Sequence, residues 1–326
     1  HYAEIEAKRI SPNWAVFVGQ GTIREAVVGR EDREATPLEL ARMKAMVAEA
    51  MRDGALGIST GLFYVPGSFT PTYEVVELSK VAAQYGGIYI SHMREEANQL
   101  LDSVGETIAI GEQAGIPVQI THHKVIGVQN WGASVDSLRL VDEARGRGVD
   151  VTLDQYPYTA SQTSINALIP QWAQEGGRRK MLERLESPET RGAVKAAIID
   201  KILFDRGGGD PKNVSISRSP NDRSIEGKNL ARPTPVLAAN IGAIPPMVKL
   251  VDLISFFGSN ISFQPFISVS PISKFIAACS SGVNAASCFT RSASSYHTIE
   301  PCAPGSGKNA LGPVGVNCCQ VTSCCA

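Results

Sequence analysis

Cysteine is missing from the first 278 residues of this 326-residue chain; all seven lie from Cys279 onward. A disulfide framework for the main body is therefore excluded. Charge is scarce at the other end. Residues 233–326 carry only Lys249, Asp252, Lys274, Arg291, Glu300 and Lys308, against 31 basic and 32 acidic side chains in the whole chain. No run of 18 apolar residues occurs, so no transmembrane helix is predicted. There is no excess of basic charge: the net charge is −1, which argues against nucleic acid as a partner. The chain starts at His1 without a methionine or a signal-peptide pattern, so the start reads as a cut and carries no targeting information; the expected localisation is cytoplasmic.

What is present up to residue 160 is one repeated pattern: a short β-branched run, a small or polar tip, then an amphipathic helix. The runs are "AVFVGQG" (15–21), "ALGISTG" (55–61), "GIYISHM" (87–93), "PVQITHH" (117–123) and "VDVTLDQY" (149–156). The last four tips recur about every 30 residues, the size of a βα unit. Nearly all-apolar runs predict parallel strands buried on both faces. Thr36-Pro37-Leu38-Glu39 is a capping box with proline at the first helical position. Further helices are predicted from Thr72 to Gly86, through "ANQLLDSVGETIAIGEQA" to Gly115, and from Ser134 to Gly146 or Gly148, each closed by a glycine. No strand is followed by G-x-G-x-x-G, which favours a barrel over a dinucleotide-binding open sheet.

After Tyr158 the rhythm changes. Residues 168–202 predict two polar helices divided at Ser187-Pro188, and "NVSISR" predicts a short strand. Residues 233–326 show no period. "PGSGKN" (304–309) fails as a phosphate loop because Cys302 occupies the first glycine position and Asn309 follows Lys308. "CCQVTSCC" (318–325) has metal or disulfide chemistry available, yet reads more simply as composition.

In a parallel barrel the chemistry sits where strands end. His92 ends one strand and His122 the next, about one βα unit apart, so both imidazoles are expected at one mouth, with Asp154 and Tyr156 ending the following strand. Strand alternation turns one of His122 and His123 outward, and the spacing selects His122 as the inward one. Zinc usually takes three protein ligands, and this mouth offers two obvious ones. Lys124 suits a substrate carboxylate as a point charge, or is a solvated surface lysine. Arg94, Glu95 and Glu96 read as a helix start. Tyr156 is placed to donate to a developing oxyanion, or packs against Pro157. Phe63 and Tyr64 line an apolar pocket or are loop packing.

Together "GALGISTGLFYVPG", "ISHMREE", "ITHHKVIG", "LDQYPYTA" and "LIPQWAQEGGRRKMLERL" resemble the N-acyl-D-amino-acid deacylases (D-aminoacylases) of the amidohydrolase superfamily. "NWAVFVGQGTIREAVVG" shares the likeness, with Gln20 where a histidine is common, and the resemblance runs over about residues 1–231 in the right order. It implies an α/β fold, part of a (β/α)8 TIM-type barrel of about five central βα units, and Zn2+-dependent hydrolysis of an N-acyl-D-amino acid to a carboxylate and a D-amino acid. By motif position, His92 and His122 correspond to zinc ligands. Lys124 and Tyr156 correspond to residues that handle the substrate's carboxylate and scissile group, and Phe63 to a wall of the side-chain pocket. The family's His-x-His pair and cysteine ligand belong before residue 1. Its catalytic aspartate, in a Gly-Ser-Asp-Gly-like segment, has no counterpart after residue 231.

The expected organisation is therefore residues 1–165 as partial barrel, 166–232 as insertion, and 233–326 as an irregular, poorly ordered tail. The tail's abrupt composition leads us to expect a changed reading frame just past Ala231, and little or no activity from the chain as written. A related cyclic-amide hydrolase of hydantoinase or dihydroorotase type and a non-catalytic barrel fragment stay open as alternatives. A small molecule is the expected partner, with no nucleic acid and no membrane.

Overall fold

The computed structural model describes residues 2–10, 14–206, 208–220, 222–231 and 260–263. The phosphate-loop-like segment, the cysteine cluster and the suspected frame change lie outside them. Helix α1 (Tyr2–Lys8) precedes strand β1 (Val18–Gly19), followed by α2 (Gln20–Val27) and α3 (Pro37–Arg52). Then come β2 (Gly57–Gly61), α4 (Thr72–Gln84), β3 (Ile88–His92), α5 (Leu100–Ala114), β4 (Val118–Ile120), α6 (Ser134–Gly146) and β5 (Val151–Leu153).

The five strands form one parallel sheet in the order β1-β2-β3-β4-β5. That order decides the fold. A doubly wound sheet reverses its strand order at a switch point, whereas a barrel adds each strand beside the last. This is the α/β arrangement of five consecutive barrel units. Tyr89 pairs with Val118 and Ser91 with Ile120; Val118 pairs with Val151 and Ile120 with Leu153. Gly57 makes the close approach of β2 to β3 possible, because an added Cβ would lie 1.9 Å from the carbonyl oxygen of Ile88.

The strands at either edge differ from the expectation. The run 15–21 contributes only Val18 and Gly19 to the sheet, since Gln20 already begins a helix. In β5, Val151 is buried but Thr152 is exposed. The longest buried runs are in β2 and β3, each of which has a neighbour on both sides.

The helices begin and end for legible reasons. Thr36 Oγ1 accepts from the Glu39 backbone N–H, and the Glu39 carboxylate accepts from that of Thr36, with Pro37 at the first position. Gly115 closes α5 in the left-handed conformation at φ 62°. Helix α5 starts at Leu100, so Arg94, Glu95 and Glu96 belong to the preceding loop and not to its first turn. Met43, Val47, Ile58, Leu62, Val75, Leu78 and Tyr89 fill the core under α3 and α4, and Leu100, Val104, Ile120, Val141 and Val151 the core under α5 and α6. Each such large side chain stabilises the fold by about 1.5–3 kcal/mol relative to exposure.

The remaining elements are β6 (Ser161–Ser164), α7 (Gln171–Gln174), α8 (Gly177–Glu186), α9 (Pro188–Phe204), β7 (Val214–Arg218) and β8 (Asn260–Phe263). The break at Ser187-Pro188 falls between α8 and α9 as predicted, with the Ser187 hydroxyl accepting from the Glu189 N–H at 3.3 Å. Ile165, Leu168, Met181, Leu185, Val194, Ile198, Val214 and Ile225 form a separate apolar cluster. Strands β6, β8 and β7 make an antiparallel sheet with β8 in the centre, so residues 260–263 of the segment expected to be irregular form a strand.

Candidate functional site

His92 is the last residue of β3, paired in register with Gly61 of β2. His122 is not in a strand. It stands two residues past β4 with φ 42°, a conformation uncommon for a residue with a Cβ. The register places Thr121, not His122, beside His92. It is therefore this turn, rather than strand alternation, that brings the His122 ring round to meet its neighbour. Asp154 at the end of β5 holds the turn: its Oδ1 accepts from the His122 backbone N–H at 2.6 Å, and its carbonyl accepts from the His123 N–H at 2.8 Å. His123 points the other way, buried, with Nε2 2.9 Å from Ser137 Oγ on α6.

The two imidazoles converge. His92 Nδ1 faces His122 Nε2 in direct contact, with ring centroids 4.4 Å apart. Burial and the neighbouring His122 push the His92 imidazole down to about 4, so it is neutral near pH 7 and keeps a lone pair for a ligand. Glu96 Oε1 lies 3.0 Å from His122 Nδ1. A lone pair on His122 Nε2 requires the proton on Nδ1; Glu96 is placed to accept it, while Lys124 Nζ, 2.6 Å from the same nitrogen, competes for that position. The site thus supplies two imidazole donors of the kind a metal centre uses, one of them also in contact with a carboxylate. Among the described residues no group of three or more His, Cys, Asp or Glu side chains has the geometry to hold a metal ion.

Lys124 is buried rather than solvated. Its Nζ is 2.6 Å from Glu96 Oε1 and 2.9 Å from the carbonyl oxygen of His122. Burial works to raise the Glu96 carboxyl, but Lys124 and His122 outweigh it and hold it well below the usual carboxylate range. Burial lowers Lys124, against the pull of Glu96. Half-buried Tyr156 places its ring 5.5 Å from Lys124 Nζ and 6.1 Å from the His122 ring, and burial with the nearby Glu96 charge raises its phenol.

Two cavities meet here. One of about 520 Å3 is lined by Ser59, Gly61, Tyr64, His92, His122 and Thr163. The other, of about 470 Å3, is lined by Glu96, His122, Lys124, Tyr156, Thr163 and Arg206. Tyr64 Oη and Thr163 Oγ1, 2.9 Å apart, tie the loop after β2 to β6 between them. Four of the sequence-selected residues (His92, His122, Lys124, Tyr156) therefore come together. Phe63 does not join them: it lines a third cavity, of about 500 Å3, with Leu62, Trp172 and Lys201. Its ring carries the Arg206 guanidinium at 4.0 Å.

Sequence reasoning missed Glu96 and Arg206. Glu96 had a signal, being one of three charged residues in a row immediately past a barrel strand end. Arg206 follows α9, and nothing in its local sequence points to the barrel mouth. Gln20, where a histidine is common in the resembling family, is fully buried and donates to Thr70 Oγ1 at 3.0 Å. Among the described residues no helix is long and apolar enough to cross a membrane.

No family model matches the chain. A D-aminoacylase of Alcaligenes xylosoxydans xylosoxydans is 42% identical over 164 residues, 49% of this chain and 34% of the relative. An N-acyl-D-glutamate deacylase of the same organism is 35% identical over 198 residues, 61% of this chain and 40% of the relative. The solved N-acyl-D-glutamate deacylase of Bordetella bronchiseptica, complexed with zinc and a phosphonate mimic of the tetrahedral intermediate, superposes with a TM-score of 0.63. It shares 28% identity and covers 84% of this chain and 48% of its own. The chain thus spans between a third and a half of the length of these three proteins. The resemblance to the N-acyl-D-amino-acid deacylases read from the motifs holds in both sequence and structure.

Proposed function

We propose that this chain carries the two-histidine side of the active site of a zinc-dependent N-acyl-D-amino-acid deacylase, a cytoplasmic enzyme that cleaves the amide of an N-acyl-D-amino acid. The observation that carries this reading is the convergence of His92 Nδ1, at the end of β3, and His122 Nε2, in the turn after β4, beside a cavity of about 520 Å3. When bound, the metal supplies Lewis-acid polarisation of the scissile carbonyl and an activated water. His92 and His122 hold it through neutral ring nitrogens. With the proton on His122 Nδ1, Glu96 accepts it as a hydrogen bond and orients the ring. Lys124 balances the Glu96 charge and steadies the turn through the His122 carbonyl. Tyr156, its phenol kept protonated by burial, has a hydroxyl to donate to a substrate oxygen. Phe63 stays a candidate for the side-chain pocket wall, reached from the neighbouring cavity.

The test is zinc binding by the purified chain, followed by calorimetry and metal analysis. Uptake of zinc that falls at least about tenfold in His92→Ala and in His122→Ala is expected. Equal uptake by the double variant would sink the reading.

A further inference from the structure

We propose that β8 (Asn260–Phe263) is a positioning strand for the barrel mouth: by pairing with β6 it holds in place a wall shared by the two cavities beside His122. This rests on the proposed function and deepens it, since ligand binding then depends on residues beyond the stretch that resembles the deacylases. Strand β6 borders both cavities. Gln162, Thr163 and Ser164 line the one of about 520 Å3, and Ser161, Gln162 and Thr163 the one of about 470 Å3. Nothing in its own sequence fixes it there. Its four residues, Ser161 to Ser164, are all polar, and none is buried. Burial anchors it at one end only, through Ile165, the next residue, in the apolar cluster of the insertion. Toward its other end the chain leads back to exposed Tyr158.

Strand β7 is anchored differently, with Val214 and Ile216 both buried in that cluster. The link between the two strands is β8. It pairs with β6 along its whole length, from Ser161 opposite Phe263 to Ser164 opposite Asn260. It pairs with β7 from Val214 opposite Phe263 to Arg218 opposite Asn260. Neighbouring strands lie about 4.7–4.9 Å apart, so β6 and β7 stand about 10 Å from each other, beyond backbone bonding. Among the described residues β6 pairs with no other strand. Two side-chain bonds also reach it, Tyr64 Oη with Thr163 Oγ1 at 2.9 Å and Gln162 Nε2 to Ser217 Oγ at 2.7 Å. Both are exposed, where water competes for the same groups. The ladder to β8 therefore carries the anchorage of β7 across to the cavity wall.

The experiment breaks that ladder in the full 326-residue chain. Successive residues of a central antiparallel strand bond to opposite neighbours, so Ile261→Pro and Ser262→Pro each remove pairing to a different one of β6 and β7. Hydrogen exchange of peptides covering residues 161–164 should quicken at least about tenfold in both variants, with β3 and β4 unchanged. In the presence of zinc, affinity for N-acetyl-D-methionine should fall about tenfold while zinc affinity holds, because neither β6 nor β8 carries a metal-holding ring. A general loss of stability would lower both affinities together, so the split marks positioning. Unchanged exchange in residues 161–164 overturns the inference and leaves the proposed function standing, as does quickened exchange with unchanged ligand affinity. If the proline variants do not fold, Ile261→Gly, which weakens the strand but keeps its N–H, decides by the same two readouts. Loss of zinc binding in Ile261→Gly as well overturns the inference, since β8 would then support the whole chain and not the mouth. A wild-type chain that takes up zinc but binds no N-acetyl-D-methionine overturns both the inference and the reading on which it rests.

Discussion

Two buried ion pairs divide the molecule into a part that fastens and a part that acts. Arg24 of α2 and Glu74 of α4 are both fully buried, joined by two bonds from one guanidinium nitrogen at 2.7 and 2.6 Å. The other terminal nitrogen donates to the carbonyls of Arg33 and Phe69. Neither residue lines a described cavity. Lys124 and Glu96 are almost as buried and as close, at 2.6 Å, but both line a cavity and Glu96 also meets an imidazole. Burial and pairing are common to the two. What separates them is the third partner and the space alongside, so a buried charge by itself is no mark of a site.

The largest effect is expected from breaking the fastening pair. Glu74→Ala leaves a buried guanidinium uncompensated and should cost about 3–5 kcal/mol of stability by urea unfolding, with zinc affinity unchanged in the folded fraction. Replacing both partners at once, Arg24→Met with Glu74→Leu, should recover most of that loss, because the desolvation cost disappears with the charges. A double variant no more stable than Glu74→Ala would break the contrast, since the pair would then be doing more than joining α2 to α4.

Glu96→Gln probes the other side. It keeps the shape, weakens the acceptor for His122 Nδ1, and should lower zinc affinity by about 10- to 100-fold. It also costs some stability, since Lys124 loses its counter-charge. The contrast is lost if Glu96→Gln behaves as Glu74→Ala does, with lower stability and unaltered zinc binding.

Much of the fold was legible because it rests on local signals. The capping box at Thr36, the glycines closing the helices and the recurrence of strand tips each act over a few residues, and each appears where it was expected. The strand ends gave His92 and His122 for the same reason. The rest depends on approaches across long sequence distances. Arg24 and Glu74 are 50 residues apart, and nothing local reports that their charges meet. Glu96 reads as a helix-start acid until α5 is seen to begin only at Leu100. Arg206 reaches the barrel mouth because α9 folds back, a property of tertiary packing. The left-handed turn at His122 is invisible too, since the bond that sustains it, from the His122 N–H to Asp154, spans 32 residues.

A surface pair sharpens the contrast at its weak end. Arg33 and Glu39 are bonded at 2.8 and 2.7 Å, and Glu39 also closes the capping box of α3 with Thr36. Removing the cap hydroxyl with Thr36→Ala should cost about 1 kcal/mol, within a range of about 0.5–2, measured by thermal unfolding. That is well below the loss at Glu74, because water replaces the lost partners at the surface.

The smallest effect is the acid titration of the same corner. The bond from Arg33, then those from the Thr36 backbone and hydroxyl, lower the Glu39 carboxyl from 4.5 to about 2. A carboxyl depressed in the folded state binds its proton more readily when unfolded. Its contribution is therefore complete above pH 4.5 and is lost as the pH falls through about 2. Glu39→Gln should flatten only that segment of the stability–pH curve and leave the region above pH 5 parallel to wild type. Salt should shrink the difference, since the pair is exposed. An acid limb unchanged by Glu39→Gln would place the loss of stability in that window on other carboxylates. The exposed pair would then contribute nothing measurable, and the contrast with the two buried pairs would be wider still.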